Sequence, residues 1–180
     1  MSSEQSLLHD ILTGNRAAQR ELYDRYSGYA MAVCLRYIAD RDAVQDVMQD
    51  AFVKVFTSLR QFHYRGEGSL KAWVTRIAAN ESLNYVRRNE RMTFTDHVPE
   101  MTDDEEEPDI GDVPMQVLMR MIHELPAGYR TVFNLYVFEQ MNHKQIAREL
   151  GIKESSSASQ YLRAKRLLAK AIVEFRKQQR

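Results

Sequence analysis

The side chains able to make or break bonds in this 180-residue chain are few, and their spacing does not suit such chemistry. Five histidines, His9, His63, His97, His123 and His143, are scattered, and none has a partner at metal-ligand spacing. Ser155-Ser156-Ser157 has no histidine and aspartate constellation nearby to activate a nucleophile. The carboxylates of residues 103–109 are numerous, but acid–base catalysis needs carboxyl groups held at a set separation, and a low-complexity tract does not hold them. Arg65-Gly66-Glu67-Gly68 lacks the strand and lysine context of a phosphate loop. The single cysteine, Cys34, has apolar neighbours and reads as a buried structural thiol. The expectation is therefore a protein that is not an enzyme, with no metal and no cofactor.

Recognition chemistry fits better. Asn142 precedes a short apolar pattern, Ile146, Ala147 and Leu150, as a helix cap would. Gly151 then stands where that helix must stop in a left-handed backbone, and Ile152 anchors the turn. Ser155 or Ser156 is expected to cap a second, basic helix. Ser157, Tyr161, Ala164, Leu168, Ile172 and Phe175 are expected inward on it, with Ser159, Gln160, Arg163 and Arg166 on other faces. A helical hairpin with a glycine turn would explain part of this pattern. A small residue, Gly and Ile in register, followed by a basic helix, favours a DNA-binding helix-turn-helix.

A formal net charge of zero is at first sight wrong for a DNA binder. Residues 92–114, however, hold nine acidic side chains and no Lys or Arg, which leaves 25 basic against 16 acidic residues elsewhere. From Met141 to Arg180 there are ten basic and three acidic residues. The zero thus sums two basic ends and an acidic middle.

The elements that must position these groups are helical. Apolar residues recur at three and four positions, and almost nothing alternates with period two. The spacing predicts helices over about 4–13, from Asn15 to a weak break at Gly28, and from Tyr29 to Ala39. A longer one over about 41–60 has Val44, Val47, Met48, Ala51, Phe52, Val55, Phe56 and Leu59 inward. Its other face is polar. Ser69 is expected to cap a helix over about 70–89, ending in Arg87-Arg88. Residues 92–114 cannot bury enough apolar area to offset ordering and read as a linker. The fold class is all-α: two small helical domains, 1–91 and 115–180, joined by an acidic flexible linker at 92–114.

Three motifs in this order resemble bacterial RNA polymerase sigma factors of the extracytoplasmic-function (ECF) group. Asp42 to Phe56 is similar to that family's polymerase-binding helix. Ala72-Trp73-Val74-Thr75-Arg76-Ile77-Ala78-Ala79-Asn80, continuing through Asn84 to Arg87-Arg88, is similar to its −10 element helix. Leu125-Pro126, Tyr129-Arg130, Val132-Phe133, the Leu150-Gly151-Ile152 turn and Arg163-Ala164-Lys165 are similar to its −35 reader. The match covers about 16–91 and 115–175.

The resemblance implies a specificity subunit that binds core RNA polymerase and promoter DNA, reads −10 and −35 elements and helps open the duplex. Asp46, Gln49, Asp50 and Val53 become the polymerase-docking face. Phe62, His63, Tyr64 and Arg65 form a loop that can hold an unpaired base. Arg76, Asn80 and Asn84 face the −10 bases, with Arg87 and Arg88 holding phosphate. Many relatives carry Asp where this chain has Asn84. On the −35 side the implied DNA-facing residues are Lys144, Lys153, Ser156, Ala158, Ser159, Gln160, Leu162, Arg163 and Arg166. Ser157 and Ala158 depart from the Val and the Lys or Arg that many relatives carry.

The family is commonly restrained by an anti-sigma factor, and the sequence leaves open whether this chain has one. The alternative reading is a stand-alone helix-turn-helix regulator binding a palindrome as a dimer. A third class, an enzyme acting on nucleic acid, is opposed by the missing catalytic constellation. The N-terminus lacks a signal-peptide pattern, and no apolar run approaches the ~20 residues needed to cross a bilayer. With one cysteine, the expectation is a cytoplasmic protein without membrane insertion.

Overall fold

The computed structural model describes residues 3–92, 94, 111 and 113–179. Most of the 92–114 linker, including the acidic run 103–109, lies outside the described residues, as does His97. The described residues form eight α-helices and no strand. They divide into two compact units, Met1–Arg88 and Asn89–Arg180.

The first unit contains α1 (Glu4–Leu12), α2 (Arg16–Tyr37), α3 (Arg41–Ser58), a 3-10 turn (Leu59–Gln61) and α4 (Ser69–Asn89), whose last residue crosses the unit boundary. Ser3, Asn15 and Asp40 cap the first three helices by accepting from backbone N–H groups two or three residues on. The break expected at Gly28 is absent, because α2 runs unbroken for 22 residues. A glycine inside a helix costs only about 1 kcal/mol. The face carrying Leu22, Tyr26, Ala30, Val33, Cys34 and Tyr37 stays buried on both sides of it, and that burial outweighs the glycine. Along α3, Val44, Val47, Met48, Ala51, Phe52 and Val55 are buried as the spacing predicts. Leu70, Val74, Ala78, Leu83 and Val86 of α4 are buried as well, also on helix spacing.

The second unit contains α5 (Met115–Glu124), α6 (Ala127–Val137), α7 (His143–Leu150) and α8 (Glu154–Gln178). Two apolar clusters divide the length of α8. Val113, Met121 and Ile172, flanked by Val117, Leu118, Leu168, Ala171 and Phe175, hold its C-terminal part to α5. Val132, Leu135 and Ile146, flanked by Phe94, Met141, Leu150 and Tyr161, hold its N-terminal part to α6 and α7. Residues just after α4 join this unit. Buried Arg130 donates to the carbonyls of His123 (2.9 Å) and Leu125 (3.1 Å), which end α5, and to the carboxylate of Glu90. Thr131 Oγ1 lies 3.6 Å from the sulfur of Met92. The sequence expectation ended the first domain at residue 91. The compact units divide at Arg88, and Glu90, beside the buried Arg130 guanidinium, belongs to the second.

Candidate nucleic-acid interface

The helix-turn-helix is built as its sequence signals require. Asn142 accepts from Gln145 N (2.9 Å), and the Gln145 side chain accepts in return from Asn142 N (2.9 Å), closing a capping box. Gly151 ends α7 at φ +67, and its N–H reaches the Ala147 carbonyl. The second helix differs from expectation at its start. It begins at Glu154 after Lys153, and neither Ser155 nor Ser156 caps it.

On α8, Ser157, Ala164 and Ile172 are buried, and Tyr161, Leu168 and Phe175 are half-buried, as expected of the inward face. Ser159 and Gln160, expected on other faces, are buried too, as is Ser156. For Gln160 the reason is geometric: it lies one helical turn before Ala164, and Ser156 one turn before it, so both lie on the inward arc. Ser159 turns its hydroxyl back to the carbonyl of Ser155 at 2.9 Å. Enclosed like this, the three side chains present no edge to a groove. Lys144 and Lys153 are exposed, while Ala158, Leu162, Arg163 and Arg166 are half-buried. Arg163 Nη1 donates to the Tyr129 hydroxyl at 3.2 Å, which braces it on α6.

His143 joins the two helices. Its ring stacks on Tyr136 (4.7 Å between centroids, 18°), and its Nδ1 lies 3.0 Å from Ser157 Oγ. Burial pushes its pKa below the ordinary histidine value, with the Glu154 carboxylate opposing. The neutral ring is thus favoured.

In the first unit the polar stripe of α3 is open. Asp46, Gln49 and Asp50 are exposed, and Val53 is 63% exposed among them. Lys54, next on that surface, pairs with Glu81 of α4 at 2.7 Å. On α4, Arg76, Asn80, Arg87 and Arg88 are exposed and Asn84 is half-buried. In the loop before α4, His63 and Arg65 are exposed, whereas Phe62 packs on Trp73 with ring centroids 5.0 Å apart. Tyr64 is half-buried, and its hydroxyl lies 3.3 Å from Glu67 Oε1.

Sequence reasoning missed how α4 begins. Ser69 was expected to cap it, but its hydroxyl donates to the Gly66 carbonyl (2.6 Å) and accepts from Arg65 N (3.2 Å). The acceptor for the first turn of α4 is the carboxylate of Glu4, 2% exposed, which takes Leu70 N (3.0 Å) and Lys71 N (3.2 Å). The Tyr26 hydroxyl donates to it as well, at 2.8 Å. A glutamate in the first turn of an amphipathic helix ordinarily faces water, so nothing in the sequence marks Glu4 as buried.

The described residues hold no group of three or more His, Cys, Asp or Glu side chains suited to a metal ion. None of their helices is long and apolar enough to cross a membrane.

The family description "Sigma-70 region 2" matches residues 22–92, and "Sigma-70, region 4" matches residues 115–168. The chain belongs to the sigma-70 family of RNA polymerase sigma factors, in its ECF group. It is similar to the ECF RNA polymerase sigma-E factor of Haemophilus influenzae, 25% identical over 94% of this chain and 95% of that one. It is also similar to the RNA polymerase sigma-H factor of Pseudomonas aeruginosa, 27% identical over 94% of this chain and 93% of that one. Among solved structures, CnrH in complex with the cytosolic domain of CnrY shares the fold, with a TM-score of 0.51 at 22% identity, covering 96% of this chain and 99% of that one. RpoE from Bartonella quintana, in complex with the anti-sigma factor NepR, does so with a TM-score of 0.52 at 18% identity, covering 85% and 95%. As a sigma factor the chain binds core RNA polymerase and directs it to promoters through −10 and −35 elements, and it helps open the DNA for initiation.

Proposed function

We propose that the two units divide this work, with α3 docking polymerase, α4 and the loop before it opening and reading the −10 element, and α7–α8 reading the −35 element. The observation that carries this reading is the open stripe of Asp46, Gln49, Asp50 and Val53 opposite a fully apolar buried face. A stand-alone repressor has no use for such a surface. Arg76, Asn80 and Asn84 face the −10 bases, and Arg87 and Arg88 hold the flanking phosphates. His63 and Arg65 are free to meet an unpaired base, while Phe62 supports them from Trp73. On the −35 side the reading rests on Ala158, Leu162 and Arg163 for bases and on Lys144, Lys153 and Arg166 for phosphate. Chemistry is left to the polymerase, and the protein works in the cytoplasm as a non-enzymatic subunit.

A regulatory partner of the anti-sigma kind belongs to the same proposal, supported by the solved relative in complex with NepR. The test is reconstitution of the full chain with core polymerase on a promoter library. New transcripts that depend on both components are expected. Tight binding to a palindrome without polymerase, and no polymerase-dependent transcript, would favour the stand-alone regulator instead. Replacing Asp46, Gln49 and Asp50 together with Ala should abolish assembly with core polymerase; unchanged assembly would place the docking face elsewhere.

A further inference from the structure

The loop 62–68 is secured from a distance. Glu4 and Glu67 exchange contacts: Glu67 Oε1 accepts from Glu4 N at 3.0 Å, while the Glu4 carboxylate accepts from the first turn of α4 just beyond the loop. Tyr26 of α2 holds the same carboxylate at 2.8 Å, so three helices meet on one buried charge. Glu67 also receives the Tyr64 hydroxyl, and Ser69 Oγ bonds the backbone of Arg65 and Gly66. Between these ties lie Gly66 (φ +114) and Gly68 (φ +89), backbone positions free of side-chain restraint. The base of the loop is therefore held by α1, and its tip leaves His63 and Arg65 exposed.

We propose that Glu4 is a positioning residue for promoter specificity. Its carboxylate caps α4 and, through the Glu67 exchange, holds the loop in the one shape that accepts the correct unpaired −10 base. Neither Glu4 nor α1 touches the base. They act by keeping Gly66 and Gly68 from sampling other loop shapes, which would accept other bases almost as well. This inference rests on the reading of loop 62–68 as the base-capturing element. A helix N-terminus suits an anionic cap. Here that cap comes from 66 residues away, so the loop is correctly shaped only when α1 is docked.

The experiment uses holoenzyme assembled from the full chain and a promoter library randomised through the −10 element, with transcripts sequenced. Selectivity is read as the enrichment of the preferred base at the most selective position. Glu4→Gln keeps the size of the side chain and removes its charge. It should lower that enrichment about fivefold or more, the range expected when ~1–3 kcal/mol of base capture is relaxed. Assembly with core polymerase should be unchanged. The double change His63→Ala with Arg65→Ala should lower enrichment at the same position. Tyr26→Phe, which removes one donor to Glu4 and leaves the α4 cap, should give a smaller fall and serves if Glu4→Gln does not fold.

To separate positioning from general weakening, Glu4→Gln is combined with Gly28→Ala, a change expected to raise stability elsewhere. Low selectivity that persists as stability returns supports the proposal; selectivity that returns with stability overturns it. If the His63 and Arg65 change lowers enrichment and neither Glu4→Gln nor Tyr26→Phe does, the positioning role is wrong and the base-capture reading stands. If none of these variants alters enrichment, base capture by this loop fails, and the inference falls with it.

Discussion

Glu4 shows how one residue can carry two opposed tendencies. Burial disfavours its charged form, but hydrogen bonds from Leu70 N, the Tyr26 hydroxyl and Lys71 N outweigh burial and hold its pKa below the ordinary carboxylate value. A depressed carboxylate pKa contributes stability that is complete above the unfolded value, near pH 4.3, and disappears as pH falls through the folded value. The melting temperature of the native chain should therefore drop more steeply below about pH 4.5 than that of Glu4→Gln, which has no charge to lose. Glu4→Ala should cost about 2–4 kcal/mol at neutral pH, read by urea unfolding, because two backbone N–H groups and a buried hydroxyl lose their acceptor. His143 works in the same direction at a higher pH. Its pKa is depressed by burial against Tyr136 and Ser157, so its contribution is complete above about pH 6.5 and fades below it. Stability measured from pH 7.5 down to about pH 5.5 should fall in the native chain, and His143→Gln should flatten that slope.

At the scale of elements, two glycines make opposite predictions from the same physics. Gly151 sits at φ +67 with open space where a Cβ would go, so Gly151→Ala meets no clash but must adopt a left-handed backbone. It should destabilise the chain by about 1–2 kcal/mol and weaken −35 binding by misaligning α7 and α8. Gly28 lies inside α2 with nothing near its missing Cβ and no positive φ. Gly28→Ala should raise stability by about 0.5–1 kcal/mol, measured as a higher melting temperature, because only the unfolded chain loses freedom. The sequence pattern read α3 and α7 nearly to the residue, since caps and apolar spacing act locally. It misread α2, where a local penalty was outweighed by a continuous buried face.

For the whole molecule, charge is the property to test. The acidic residues of 92–114 cancel a surplus of nine positive charges in the rest of the chain. Replacing Asp103, Asp104, Glu105, Glu106, Glu107 and Asp109 by their amides would raise the net charge from 0 to about +6. The free chain should then bind non-specific duplex DNA more tightly at low salt, with an affinity that falls steeply as salt rises. Unchanged binding would mean that the acidic run does not screen the basic ends.

The sequence by itself determined the all-helical class and most helix positions, the two-part organisation, the helix-turn-helix and the family, because helix caps, apolar periodicity and motif order are encoded within a few residues of each other. The tertiary structure decided which polar side chains are enclosed. Ser156, Ser159 and Gln160 are polar and lie at the start of a basic helix, yet they are buried, and Gln160 is fully so. Glu4 has the character of a surface residue, yet it caps a helix 66 positions away. For Glu4, burial depends on partners brought together by folding. A buried charge is tolerated only where distant N–H and O–H donors converge on it. Those donors come from two helices distant in sequence, α2 and α4, so no local pattern could announce them.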